Sequence, residues 1–364
     1  MNRLILDRFR PRALPFLSGA LAVAAAFAAA GCSAALGGTS ANGNTQNVAL
    51  AGATASSSPT ATGSPMASGM PSAGGGSAQM MNTMAGGYQV LTLNDRRDVT
   101  FNQLLGINNE GVIVGYFGSG ADANHPNKGY ELLPPYAQRD FVNRNFPGSA
   151  QTQVIGISDT GIAVGFYVTG NGANIGFWRA GGHYHAVSFP TMNNAKPAFN
   201  QLLGVNNTGT AVGFYNDAAG NAHGYAYNIR TRRFKMITVP GATSLTATGI
   251  NNLGTETGFY TTAGGATNSF VKFHHGRSVT IAMPGASATQ AFGLNDLGEV
   301  VGTYNVGTGN NAVTHGFTWM HGKFTTVDYP MASASFINGV NDEGDIVGFY
   351  TDAKGNTDGF FGLP

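Results

Sequence analysis

From about residue 87 onward, short apolar runs alternate with clusters of Gly, Asn, Asp and Ser. No stretch repeats its apolar residues at helical spacing, and Gly is too frequent for helix interiors. One period reads Gln153 to Gly156, Ile162 to Val168, Gly176 to Arg179 and His183 to Phe189, each run bounded by turn residues. That pattern predicts four short strands. In the second run Val164 and Phe166 point one way, Ala163 and Tyr167 the other. A sheet with one wet face would alternate apolar and polar. This strand is therefore expected to be covered on both sides.

The pattern recurs. Gly, an aliphatic or similar residue, Asn or Ser, Asn or Asp, any residue, Gly begins at Gly106, Gly156, Gly204, Gly249, Gly293 and Gly339, at spacings of 44 to 50 residues. A further Gly follows in each copy (Gly115, Gly165, Gly213, Gly258, Gly302, Gly348), then an aromatic (Phe117, Tyr167, Tyr215, Tyr260, Tyr304, Tyr350). The Asn or Asp side chains can bond backbone two residues on, and the closing Gly can take a positive φ, which predicts a tight turn between the first and second strands. Four strands per period of this length is the signature of a propeller blade.

The sixth copy reaches Pro364 after three strands, while an unassigned segment, Gly87 to Leu93, precedes the first anchor. That segment matches the fourth-strand pattern of Gly182 to Val187 and Gly322 to Val327. The expectation is an all-β fold: a six-bladed β-propeller of four-stranded antiparallel blades, closed by an N-terminal strand that completes the last blade and removes the exposed ends of an open array.

The first 85 residues read differently. Residues 1–12 are basic, 13–30 are apolar, and Ala29-Ala30-Gly31-Cys32 follows, the layout of a secretory signal. Residues 33–85 are uncharged Ser, Gly, Ala, Thr, Asn, Pro and Met, with too little apolar surface to offset chain entropy. The divisions are a signal peptide (1–31), a disordered linker headed by Cys32 (32–85) with a mean span of about 40 Å, and the repeat domain (86–364).

Charge changes the picture once. The formal charge is +1, but Arg3, Arg8, Arg10 and Arg12 stand against Asp7 in the leading segment, and without it the balance turns slightly negative. No basic footprint remains for nucleic acid. Cys32 is the single cysteine, so no disulfide can form within the chain.

Two resemblances bear on location and family. Ala29-Ala30-Gly31-Cys32 resembles a bacterial lipobox, which implies cleavage before Cys32, lipid attachment to it and a membrane partner through that lipid. Ser33 after the cysteine then implies the outer membrane or cell surface. The repeats resemble the bacterial extracellular HAF family, through His315-Gly316-Phe317 and His223-Gly224-Tyr225 at the start of the third strand. That resemblance implies an exported repeat protein and brings no activity with it.

Candidate chemistry is sparse. Gln103, Gln153, Gln201 and Gln290 hold equivalent positions before the anchor, where a closed ring would gather them into a polar collar for a sugar or peptide; the alternative is that each amide bonds neighbouring backbone. Arg96 and Arg97 mark the most charged loop on the same face. The histidines of different repeats stand too far apart to share a metal, and no cofactor motif occurs. No catalytic set is assigned, because most acids sit in repeat turns. The function expected is a non-enzymatic, surface-displayed, monomeric binding module for carbohydrate or protein. A polysaccharide-acting hydrolase or lyase and a structural envelope protein are the alternatives.

Overall fold

A computed structural model describes residues 82–191 and 197–364. The expected signal peptide, Cys32 and nearly all of the linker lie outside these residues. Among the described residues no helix is long and apolar enough to cross a membrane.

Two short strands come first, β1 (Asn82–Thr83) and β2 (Gln89–Thr92). Unit one follows with β3 (Asn102–Ile107), β4 (Ile113–Phe117), β5 (Lys128–Leu132) and β6 (Phe141–Asn143). Unit two has β7 (Gln151–Ile157), β8 (Ala163–Val168), β9 (Asn174–Ala180) and β10 (His183–Val187). Unit three has β11 (Asn200–Val205), β12 (Thr210–Asn216), β13 (Ala222–Asn228) and β14 (Arg233–Met236). Unit four has β15 (Ala242–Ile250), β16 (Glu256–Thr262), β17 (Thr267–Lys272) and β18 (Ser278–Ile281). Unit five has β19 (Ala288–Leu294), β20 (Val300–Val306), β21 (Val313–Met320) and β22 (Lys323–Thr326). The last has β23 (Ala334–Val340), β24 (Ile346–Thr351) and β25 (Thr357–Leu363).

The chain is all-β, and each unit is a four-stranded antiparallel meander. Units four and five are joined into one sheet only by a parallel bridge, Thr267 to Ala288. In the last unit β2 takes the fourth place: Gln89 pairs with Leu363, Leu91 with Phe361 and Thr92 with Phe360. β1 then adds a fifth strand outside β2, with Met84 buried beside it, so strand pairing among the described residues includes positions before 86.

Every first strand carries a register shift just before its anchor glycine, from Leu104/Gly106 in unit one to Ile337/Gly339 in the last. A bulge bends its strand and sharpens the local twist, and beside it the strand-one carbonyl lies close to the glycine of strand two. This accounts for the glycine in strand two. A Cβ on Gly213 would stand 2.0 Å from the carbonyl oxygen of Gln201, and one on Gly348 would stand 1.9 Å from that of Phe336. In both places a neighbouring backbone, more than a neighbouring ring, demands the glycine.

Each junction between consecutive units has its own apolar core, as strands buried on both faces require. Val164 enters the core shared with unit three, through Leu202 and Tyr225, while Ala163 and Tyr167 pack on the other side. The last and first units share a core too: Leu91, Val347, Phe361 and Leu363 meet Leu104, Ile113 and Tyr130.

Candidate functional site: the axial turns and a groove beside Glu256

The turn between strands one and two assigns separate work to its two Asn/Asp positions. The first is a local staple: Oδ1 of Asn108 accepts from the N–H groups of Glu110 (3.1 Å) and Val112 (2.8 Å), and Asn251 and Asn341 repeat this on their own turns. Its amide also reaches the next unit, where Asn108, Asn206, Asn251 and Asn295 each donate to a carbonyl of the following turn at 2.9–3.2 Å. The closing glycine takes a positive φ, 73° at Gly111 and 80° at Gly344.

The second position forms a cycle. Backbone N–H groups of Asn109, Asp159, Asn207, Asn252, Asp296 and Asp342 each donate to Oδ1 of the next member, and Asp342 donates back to Asn109, all at 2.7–2.9 Å. The amides of Asn109, Asn207 and Asn252 donate to neighbouring carboxylates, so each Asp faces at least one amide donor. These six residues surround a cavity of about 70 Å³.

Deeper in, the anchor glycines make a second cycle. A Cβ on Gly106 would stand 2.6 Å from the carbonyl oxygen of Ile155, one on Gly204 would stand 2.9 Å from the Cα of Gly249, and one on Gly339 would stand 3.1 Å from the Cα of Gly106. They line a cavity of about 80 Å³ with Leu105, Ile155, Leu203, Thr248, Phe292 and Asn338. Glycine backbone and aliphatic side chains line that space, with Thr248 and Asn338 as its polar side chains.

The four glutamines stand at the other end of the first strands. Gln103, Gln153 and Gln201 are buried and Gln290 is half-buried. Gln153 and Gln201 donate to Asn127 and Asn174 of the preceding unit, the second at 3.3 Å. Oε1 of Gln103, Gln153 and Gln201 and Nε2 of Gln290 have no hydrogen-bond partner among the described residues. Arg97 forks onto Asp95 with Nε 2.8 Å from both carboxylate oxygens, and its guanidinium lies 4.8 Å over the Phe117 ring. Arg96 donates its backbone N–H to Gln138 at 3.0 Å. Among the described residues no hydrogen bond links either arginine to the glutamines, and no group of His, Cys, Asp and Glu is placed to hold a metal ion.

On that face three His–Asp pairs recur in alternate units: His125 with Asp98 (2.8 Å), His223 with Asp217 (2.8 Å) and His315 with Asp328 (2.7 Å). The hydrogen bond to Asp98 pushes the His125 imidazole up. His223, with backbone donors in the Asp217 loop, holds the Asp217 carboxyl down to about 2.

A larger hollow opens between units three and four, about 380 Å³, lined by Thr208, Ala226, Lys235, Asn252, Leu253, Glu256, Lys272, Phe273 and His274 among others. Its floor is unusual. Glu256 opens β16 and is only 8% exposed, yet no hydrogen bond or ion pair within 4 Å joins its carboxyl to a described residue. It lies directly across the sheet from Lys272, whose Nζ donates to the carbonyl of Thr238 at 3.0 Å. Burial pushes the Glu256 carboxyl up, and the charges of Lys272 and Lys235 offset this only in part. At the rim, Phe273 is 39% and Leu253 67% exposed.

Sequence reasoning passed over this site, although a signal was present. Counted from the anchor glycine, the first position of strand two reads Ile113, Ala163, Ala211, Glu256, Val300 and Ile346. One ionisable residue replaces an apolar one at a buried, repeated position, and such breaks in internal consistency mark functional sites.

No protein-family model matches this chain, and no curated protein matches it. Among solved structures, the chain is similar to a putative TolB from Agrobacterium tumefaciens, at 10% identity and a TM-score of 0.49, over 78% of this chain and 100% of that one. It is similar to AofleA from Arthrobotrys oligospora, at 12% identity and 0.48, over 77% and 88%. It is also similar to the Aleuria aurantia lectin in complex with Fucalpha1-6GlcNAc, at 11% identity and 0.41, over 72% and 91%.

Proposed function

We propose that this chain is a non-enzymatic binding module, displayed outside the cell on a lipid tether, whose ligand enters the groove between units three and four. The observation that carries the reading is the groove itself. It joins a concave space of about 380 Å³ to a carboxyl with no hydrogen-bond partner among the described residues, two ammonium groups and an apolar rim. Ligand sites combine concavity, apolar lining and a few convergent polar groups in this way, commonly at about 300–1,000 Å³.

The domain that carries the groove is, on this reading, a closed six-bladed β-propeller of the HAF type. Three features support closure: the hydrogen-bond cycle returning from Asp342 to Asn109, the glycine cycle returning from Gly339 to Gly106, and the core shared by the last and first units. The pairing of β2 with β25 supports completion of the last blade by the N-terminal strand. Cys32 is the proposed lipid attachment site, and residues 33–85 the tether.

A glycan array and a defined peptide library, each probed with the full-length chain, test the reading. Retention of a glycan or peptide that is lost when Lys272 and Phe273 are replaced together by alanine supports it. Silence on both, from folded protein, overturns it.

A further inference from the structure

We infer that the groove holds a neutral pyranose ring, with the Glu256 carboxylate accepting two of its hydroxyls; this assignment deepens the binding-module reading and rests on it.

Charge selects the ligand class. A carboxylate with no hydrogen-bond partner in its own fold keeps its acceptor capacity for a molecule outside it. Glu256 is such a group, pointed into a space that includes Lys235 and Lys272. A cationic ligand would satisfy Glu256 but meet both ammonium groups. An anionic ligand would satisfy the lysines but meet Glu256. A neutral polyol uses both signs at once, because its hydroxyls donate to the carboxylate and accept from the ammonium groups.

The remaining donors and acceptors fit this division. Thr208 already donates to Asn206 at 2.8 Å, and the Asn252 amide is committed to Asp296 at 2.8 Å. Lys272 spends one N–H on Thr238 and keeps two, and Lys235 stands at the groove with no hydrogen bond to a described residue. The free polar capacity thus centres on one carboxylate facing ammonium donors, with the His274 ring and the Thr210 hydroxyl also lining the groove, an arrangement suited to adjacent hydroxyls on one ring edge. Phe273 and Leu253 supply the apolar side, where the C–H face of a sugar can rest. The other units lack this set: opposite their first strand-two residues stand Leu132, Arg179, Tyr227, Trp319 and Gly362. One such site among the described residues follows.

The test uses the full-length chain with methyl pyranosides of glucose, galactose, mannose, fucose and N-acetylglucosamine. Methyl glucuronide serves as the anionic probe, glucosamine as the cationic probe, and a glycine-rich tripeptide as the amide probe. Saturation-transfer NMR and calorimetry are read on wild type, Glu256→Gln and Glu256→Val. Valine is the residue at this position in unit five, so the second variant keeps the fold even if glutamine perturbs it. At least one neutral pyranoside is expected to bind, with affinity falling roughly tenfold or more in both variants, the scale of loss when a buried hydrogen-bonding set is disrupted. The assignment is overturned if no neutral pyranoside binds, if the charged or peptide probe binds more tightly, or if both variants bind as wild type does. In the last case the glycan-binding reading survives with its site elsewhere. If the tripeptide alone binds, the module reading survives and the sugar assignment falls.

Discussion

The amide of Asn109 donates to Oδ2 of Asp342 at 2.8 Å, and the backbone N–H of Asp342 donates back to Oδ1 of Asn109 at 2.9 Å, across 233 residues of chain. No other link in the axial cycle joins residues so far apart in sequence, and it is the link an open array would lack. Replacing Asn109 by alanine removes both bonds and leaves the Asp342 N–H without its acceptor. The expected loss is about 1–3 kcal/mol, read as a lower urea midpoint with unchanged m-value. Asn109→Asp is expected to be worse at neutral pH than at pH 4, because it places a carboxylate between Asp159 and Asp342.

Deleting residues 82–93 is expected to be severe. The deletion removes Met84, Tyr88, Val90, Leu91 and Leu93, all buried, and each large apolar side chain contributes roughly 1.5–3 kcal/mol. It also bares the edge of β25, an open template for pairing with other chains. Size-exclusion chromatography should show aggregates or no folded monomer. A truncated chain that melts within a few degrees of the parent would refute the closing role of β2.

The anchor glycines give a paired test. Gly106→Ala puts a Cβ 2.6 Å from the carbonyl oxygen of Ile155, whereas a Cβ on Gly170 meets nothing within 4 Å. The first is expected to destabilise by about 1–3 kcal/mol, as overpacking does. The second is expected to be neutral or stabilising by about 0.4–1 kcal/mol. Thermal melts of the two variants side by side check the contrast.

Glu256 predicts a pH dependence of known sign. Its carboxyl is raised by burial, so the folded state holds the proton more tightly than the unfolded chain. Its contribution to stability is therefore greatest below the ordinary carboxylate value and is lost as pH rises through the folded one. Glu256→Val should melt higher than wild type at pH 7, with the gap narrowing toward pH 4. A constant gap across that range would contradict the burial argument.

Cys32→Ser is expected to release the protein from membranes after cell fractionation, with the repeat domain still folded. Unchanged membrane association would remove the lipid from the proposal.

Much of the fold was legible because its repeating turn is written in backbone chemistry. Asn108, Gly111 and their copies announce a tight turn, and the six copies set the six four-stranded units. The match of Gly87 to Leu93 to fourth strands foretold the partner of β2. What stayed hidden depended on neighbours in space. The bulge before each anchor leaves no mark on composition, so the carbonyl of Gln201 or Phe336 that crowds the glycine of strand two is not legible in the sequence. Asp159, Asp296 and Asp342 read as turn formers, and their cycle appears only when six turns face one another. Gln153 and Gln201 drew attention by recurring, yet their amides reach across to the preceding unit. Glu256 was hidden for the opposite reason, since it breaks a recurrence that has to be aligned before the break is visible.

The partnership of β2 with β25 also orders events in time. Asn94 and Asp358, bonded beside that pairing, lie 264 residues apart, so β2 lacks its main partner until the final strand is available. A chain made from its N-terminus delivers β2 early and its partner last. The five complete meanders can form as they emerge, but the last unit gains its outer strand only when β25 is present. During that interval β2, paired only with the two residues of β1, keeps one edge bare around Val90 and Leu91.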